Sequence, residues 1–306
     1  MWLVFLLYAL FATVFTASKE ALKHAEPFFL VGSRMLVAGV LMLAVCYFRR
    51  IPVFNIKRSA WGKIFLLALF NIYLTNVFEF WGLQYLTSFK TCFIYSLAPF
   101  VSALLSYLIF EERLSSRKWL GLVIGFSGFM PILISQTSSE QSAGGFWMFS
   151  WAELAVVAAA VSSVYGWILL KQVIQQENVA PLSANALSMT IGGVFALTHS
   201  AVTEGWNPVP INHAVPFFEC TIFLIIISNC ICYNLYGYLL KRFSATFISF
   251  AGLTTALFTA LLGWIIHGEM TSISFWISFL VVCFGLVVFH QEELYPFSTE
   301  LKPERL

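Results

Sequence analysis

Residues 28–48 read FFLVGSRMLVAGVLMLAVCYF, twenty-one residues in which Arg34 is the one charged side chain. About 20 apolar residues cross the roughly 30 Å hydrocarbon core as a helix. This stretch is therefore a membrane span that carries a guanidinium into the bilayer. The same pattern continues on both sides of it, over residues 2–22, 61–83, 91–110, 119–135, 151–170, 182–203, 216–239, 245–267 and 273–290. Ten such stretches predict an all-α integral membrane protein. The chain is 59% hydrophobic and 10% charged, against about 25% charged residues in soluble domains, so a water-facing globule is excluded. A net charge of +2 with no extended basic run gives no sign of nucleic-acid binding.

The start of the chain has no basic n-region and is read as a retained first span. The six cysteines lie within apolar stretches without a C-x-x-C pair, so neither a disulfide framework nor a metal site is expected. No cofactor is expected either. Lys and Arg sort by loop: thirteen, from Arg49 to Arg305, fall on one side, while Lys19, Lys23 and Lys90 fall on the other. Basic residues stay cytoplasmic, which predicts a multi-pass protein of the cell inner (plasma) membrane with both termini cytoplasmic.

The chain repeats itself. Ser102-Ala-Leu-Leu105, Glu112, Ser115, Trp119 and Gly128 recur 157 positions later as Thr259-Ala-Leu-Leu262, Glu269, Ser272, Trp276 and Gly285. Pro27, Met35, Gly39 and Val40 recur at 154 as Pro181, Met189, Gly193 and Val194, and Asn71 and Asn76 at 158 as Asn229 and Asn234. Five spans per half is an odd number, so the second half must be inverted in the membrane. The expected organisation is one repeat over 1–148, a second over 149–290 and a cytoplasmic tail over 291–306. Inverted repeats are typical of secondary transporters with a site near the midplane.

These blocks resemble the EamA family of the drug/metabolite transporter superfamily. The resemblance rests on Leu97-Ala98-Pro99 leading to Phe110-Glu111-Glu112-Arg113-Leu114-Ser115, then Gly121, Gly125 and Gly128. The second copy reads His267-Gly268-Glu269-Met270-Thr271-Ser272, then Gly285. Arg34 and Lys19 fit the basic residues of the family's first two helices. The resemblance covers roughly residues 3–290 and implies ten helices around a central cavity that passes small metabolites, often amino acids or their derivatives. The texture is also similar to S-adenosylmethionine carriers of obligate intracellular bacteria, which makes S-adenosylmethionine/S-adenosylhomocysteine exchange by alternating access the named candidate. Export of amino acids or drugs is the alternative.

Charges in a span cost roughly 2.5–3.5 kcal/mol on insertion scales and mark cavities or partners. Arg34 is expected to hold a carboxylate and Glu79 a cationic group. Asn71, Thr75, Asn76 and Glu79 share an arc of about 140° at 100° per residue. The matching stripe on helix 8 is Asn229, Tyr233, Asn234 and Tyr236. Tyr95, Tyr165 and Trp167 are further aromatics at cavity depth. A bland reading remains open, in which Arg34 and Glu79 neutralise each other. Glu112 and Glu269 read as structural helix ends.

Two other function classes compete. Gly125-Phe126-Ser127-Gly128 matches the setting of an intramembrane serine protease, but no His lies at its depth to activate the serine. An ion channel would want a symmetric ring of charges, which two unlike charges do not give. The expected partners are a small-molecule metabolite and the lipid bilayer, and the oligomeric state is left open.

Overall fold

The computed structural model describes residues 2–51, 53, 57–110, 115–134, 138–146, 149–241, 248, 251–268 and 270–294. Among the described residues the apolar stretches are helical: α1 is Trp2–Ala21 and α2 is Pro27–Phe48. α3 runs as Arg58–Leu67, a π-helical stretch Ala68–Leu74, and Thr75–Leu83. α4 comes in two segments, Ser88–Tyr95 and Ala98–Phe110, and α5 is Ser116–Ile134. A short helix Ser138–Ser142 and a two-stranded hairpin, Gly145–Phe146 with Phe149–Ser150, lead into α6, Trp151–Gln175. α7 is Pro181–Thr203. α8 repeats the pattern of α3, with Ala214–Leu224, a π-helical stretch Ile225–Cys232, and Tyr233–Leu239. α9 is Leu253–His267 and α10 is Ile273–Leu294. Among the described residues seven helices are long and apolar enough to cross a membrane. The protein is a helical, multi-pass membrane protein. Glu112, with the whole 111–114 turn, and Glu269 lie outside the described residues.

The helix pair at the centre of the packing is α2 with α7. A Cβ added to Gly39 would stand 2.5 Å from Thr190 Oγ1, and one added to Gly193 would stand 2.6 Å from the Leu36 nitrogen. One added to Gly32 would stand 2.6 Å from the Leu197 nitrogen. Residue numbers rise on one helix as they fall on the other, so the pair is antiparallel. The contacts are also reciprocal, because Gly39 and Leu36 plus 154 are Gly193 and Thr190. Small residues let helix backbones approach this closely in a membrane. The α2 N-terminus is closed from the end of α7, where Glu204 accepts from the Phe28 and Phe29 nitrogens at 2.7 and 2.9 Å. A carboxylate there satisfies orphan donors and meets the positive helix end.

α5 and α10 repeat the arrangement. A Cβ on Gly128 would press on Val281 and Val282 at 3.0 Å, and one on Gly285 on the Gly125 nitrogen at 2.6 Å. The glycines around Ser127 thus serve helix packing. Ser127 itself donates to the Ile124 carbonyl at 2.8 Å.

The crossing supplies a stability test. Gly193→Val forces a side chain into the Leu36 backbone, and overpacking costs about 1–3 kcal/mol or more. We expect the yield of monodisperse protein in mild detergent to fall about tenfold. Gly62→Val is the control, since a Cβ there meets nothing within 4 Å. Equal yields from both variants would show that the close approach is dispensable.

Candidate substrate-binding site

Side chains of α1, α2, α3, α4, α6, α8 and α9 line a partly open cavity among the helices, a common setting for a small-molecule site. Eight of the twelve candidates named from the sequence line it: Arg34, Thr75, Asn76, Glu79, Tyr95, Trp167, Tyr233 and Tyr236.

One pole of the cavity is charged. Arg34 is 1% exposed and lies with its Cζ 4.5 Å from the centre of the Phe80 ring. Its Nη2 donates to Asn76 Oδ1 at 2.6 Å, whereas Nε and Nη1 have no hydrogen-bond partner among the described residues. Glu79 is 9% exposed and accepts a 2.6 Å hydrogen bond from the Tyr95 hydroxyl. Among the described residues Arg34 and Glu79 form no ion pair with each other. The two unlike charges face one space without a direct salt bridge between them. A buried charge without an ion-pair partner is costly.

The π-helical stretch of α3 explains how Asn76 reaches its post. A π turn bonds i to i+5 and leaves carbonyls for side chains to use. Thr75 Oγ1 donates to the Phe70 carbonyl at 2.7 Å, and Asn76 Nδ2 to the Ile72 carbonyl at 2.8 Å. With its amide nitrogen so held, and 3.4 Å from the Tyr233 hydroxyl, Asn76 presents its carbonyl oxygen to Arg34.

The other pole is aromatic. Trp167 stacks on Tyr236 with ring centres 3.9 Å apart at 20°, and Tyr233 tilts against Trp167 at 5.3 Å. Tyr8 and Phe11 add to this wall from α1, and Phe15 packs against Tyr95 at 5.6 Å.

Four candidates stand elsewhere. Asn71 is packed against Gly166 of α6. Asn229 donates to the Met35 sulfur at 2.8 Å, and Asn234 donates to the Cys230 carbonyl at 2.9 Å while accepting from Asn185 at 3.1 Å. Tyr165 meets Phe70 edge-on, away from the cavity. Residues missed at the cavity wall include Tyr8, Cys92, Ser102, Ser163 and Ser228. Thr255 also lines it, with a buried hydroxyl that has no hydrogen-bond partner among the described residues, while neighbouring Thr254 donates to the Ala251 carbonyl.

Apolar helices thus surround a cavity that holds a buried Arg34 and a buried Glu79. The chain belongs to the EamA-like transporter family, whose model matches residues 1–134 and 150–290. It is 38% identical over 294 residues to an S-adenosylmethionine/S-adenosylhomocysteine transporter of Chlamydia muridarum, covering 95% of this chain and 92% of that one. The transporter of the same description from Chlamydia trachomatis serovar L2 is also 38% identical, over 95% of this chain and 89% of its own. A solved crystal structure shares the fold at a TM-score of 0.64 and 19% identity, covering 94% of this chain and 93% of that one. The protein is a transporter and not an enzyme.

Proposed function

We propose that the protein exchanges S-adenosylmethionine for S-adenosylhomocysteine across the inner (plasma) membrane. The observation that carries this reading is the pair Arg34 and Glu79, both buried, both at one cavity, and not paired with each other. Arg34 takes the α-carboxylate of the ligand and Glu79 its α-ammonium. The adenine ring lies against Trp167 and Tyr236, and the sulfonium faces aromatic rings, which attract cations. Asn76 holds the Arg34 side chain in place. Thr255 offers a free hydroxyl to the ligand's polar edge. The relatives from Chlamydia supply the name of the ligand, and the cavity supplies a chemistry that suits it.

The architecture we infer is ten spans in two inverted five-helix halves, residues 1–148 and 149–290, with both termini cytoplasmic and residues 291–306 as a tail. Three features support it. The α2–α7 and α5–α10 crossings are antiparallel and reciprocal at the offsets of the sequence repeat. The π-helical stretches begin at Ala68 and Ile225, again 157 residues apart. α5, α9 and α10 turn large apolar side chains outward, among them Val123, Ile265 and Leu280, as lipid-facing helices do. Alternating access follows from rocking one half against the other around the cavity.

Uptake into proteoliposomes loaded with S-adenosylhomocysteine tests the ligand. Labelled S-adenosylmethionine is expected to enter, and methionine or adenosine alone to compete weakly, since each fills one pole. Uptake that ATP or a simple amino acid displaces equally well would refute the assignment. Reporter fusions after Leu114 and Thr271 test the inversion, which requires them on opposite faces.

A further inference from the structure

Lys90 sits in the first turn of the α4 segment Ser88–Tyr95 and is 3% exposed. Its ammonium lies 2.6 Å from Glu140 Oε2 and 2.8 Å from Glu153 Oε1. Glu140 belongs to the connection between the halves, and Glu153 to the first turn of α6. Three parts of the chain therefore meet on one buried cation. Glu153 is fixed independently, since its other oxygen accepts from the Ser150 nitrogen at 2.7 Å in a capping box. The connection is tied down by Ser139, which donates to the Tyr85 carbonyl at 3.0 Å.

The segment that bears Lys90 reaches the binding cavity. Cys92 and Tyr95 line the cavity, and Tyr95 donates to Glu79. Immediately beyond, the helix is interrupted at Ser96 and Leu97, whose nitrogens bond back three residues to Phe93 and Ile94. Pro99 follows, and it has no N–H to rebuild the helical ladder. An eight-residue rod thus has a buried ion cluster at one end, a contact with the charged pole at the other, and a break behind it. At the opposite end of the bundle the tie Lys63–Glu177, at 2.8 Å, is partly open to solvent.

We propose that the Ser88–Tyr95 segment is the outer gate of the carrier and that Lys90, Glu140 and Glu153 form its latch. The proposal rests on the alternating access and orientation given under Proposed function. Buried ion pairs contribute little net stability against an apolar replacement, and their best-attested use is to specify one of two states. Here the latch holds the outer face closed over the cavity. A ligand ammonium at Glu79 competes with the Tyr95 hydroxyl, frees the inner end of the rod, and lets it swing about Ser96–Leu97. Lys90 is a positioning residue in this account and touches no ligand.

Native Cys92 reports the opening, because it lies in the cavity two residues past Lys90. Cells expressing the protein are treated from outside with a membrane-impermeant maleimide, and the Cys92 adduct is quantified by peptide mass spectrometry. Lys90→Met is expected to raise the Cys92 labelling rate at least about tenfold, the change that ~1.4 kcal/mol of latch energy represents. Lys90→Arg, which keeps the cation, is expected to label like the wild type. Should Lys90→Met not accumulate, Glu140→Gln removes one of the two carboxylates and is expected to give a smaller rise. Unchanged labelling in the folded variants overturns the latch. Uptake by the wild type is measured in parallel, so a wrong ligand shows as absent uptake and a wrong latch as unchanged labelling.

Discussion

Arg34→Gln is expected to abolish uptake of S-adenosylmethionine while leaving the protein folded and inserted. Removing one partner of a buried, hydrogen-bonded charge pair typically costs about 2–5 kcal/mol of binding, or roughly 30- to 5000-fold. Stability should respond differently. In the empty cavity Arg34 is a buried charge with two nitrogens unpartnered, held by Asn76 and the face of Phe80. A neutral amide that still meets Asn76 removes the desolvation cost of the cation. The melting temperature of the ligand-free variant is therefore expected to equal or exceed that of the wild type. A residue whose loss stops transport without loosening the fold is serving the ligand. A drop in melting temperature that accounts for lost uptake would return Arg34 to a packing role.

The second large effect concerns voltage. S-adenosylmethionine carries a sulfonium that S-adenosylhomocysteine lacks, so their one-for-one exchange moves one positive charge. The cavity contributes Arg34 and Glu79, which together add no net charge to the loaded carrier. A charge crossing 100 mV changes its free energy by about 2.3 kcal/mol, close to 50-fold in the equilibrium ratio. Vesicles loaded with S-adenosylhomocysteine and held about 100 mV negative inside should therefore accumulate S-adenosylmethionine roughly 50-fold further than vesicles at zero potential. Exchange of S-adenosylmethionine for itself should not respond in its final ratio. Voltage-independent accumulation would mean that another charge travels with the ligand, or that the ligand is a different one.

Membrane class, helix positions and the charged pole were legible in the sequence because each rests on a strong local cost. Twenty apolar residues have few places to go in water, and Arg34 or Glu79 inside such a run must find a cavity or a partner. The polar stripes were only half legible. Asn71 was assigned to the face of Asn76 and Glu79 on a regular helix of 100° per residue. The π-helical stretch Ala68–Leu74 contains Asn71 and ends just before Thr75. Its wider turns take an extra residue and swing what lies inside them off the face that follows. Asn229 lies inside the matching stretch of α8 and is turned onto Met35 in the same way. Tyr8 and Phe11, spaced for one face of α1, had no signal of their own in a helix apolar on every side. Lys90 was assigned to a loop from its charge. Its burial depends on two carboxylates, 50 and 63 positions away, which no local pattern announces.

Decarboxylated S-adenosylmethionine bears most directly on the charged cavity, since it keeps the adenosine, the sulfonium and the ammonium and lacks only the group assigned to Arg34. Competition against labelled S-adenosylmethionine is measured with wild-type vesicles, and direct uptake of the labelled amine is compared between wild type and Arg34→Gln. The amine is expected to compete about 30-fold or more weakly than S-adenosylmethionine in the wild type. In Arg34→Gln, where no unpaired cation remains to repel it, its uptake should match or exceed the wild-type rate. An amine that competes with the wild type as well as S-adenosylmethionine does would contradict the role of Arg34 and the reading of the cavity built on it.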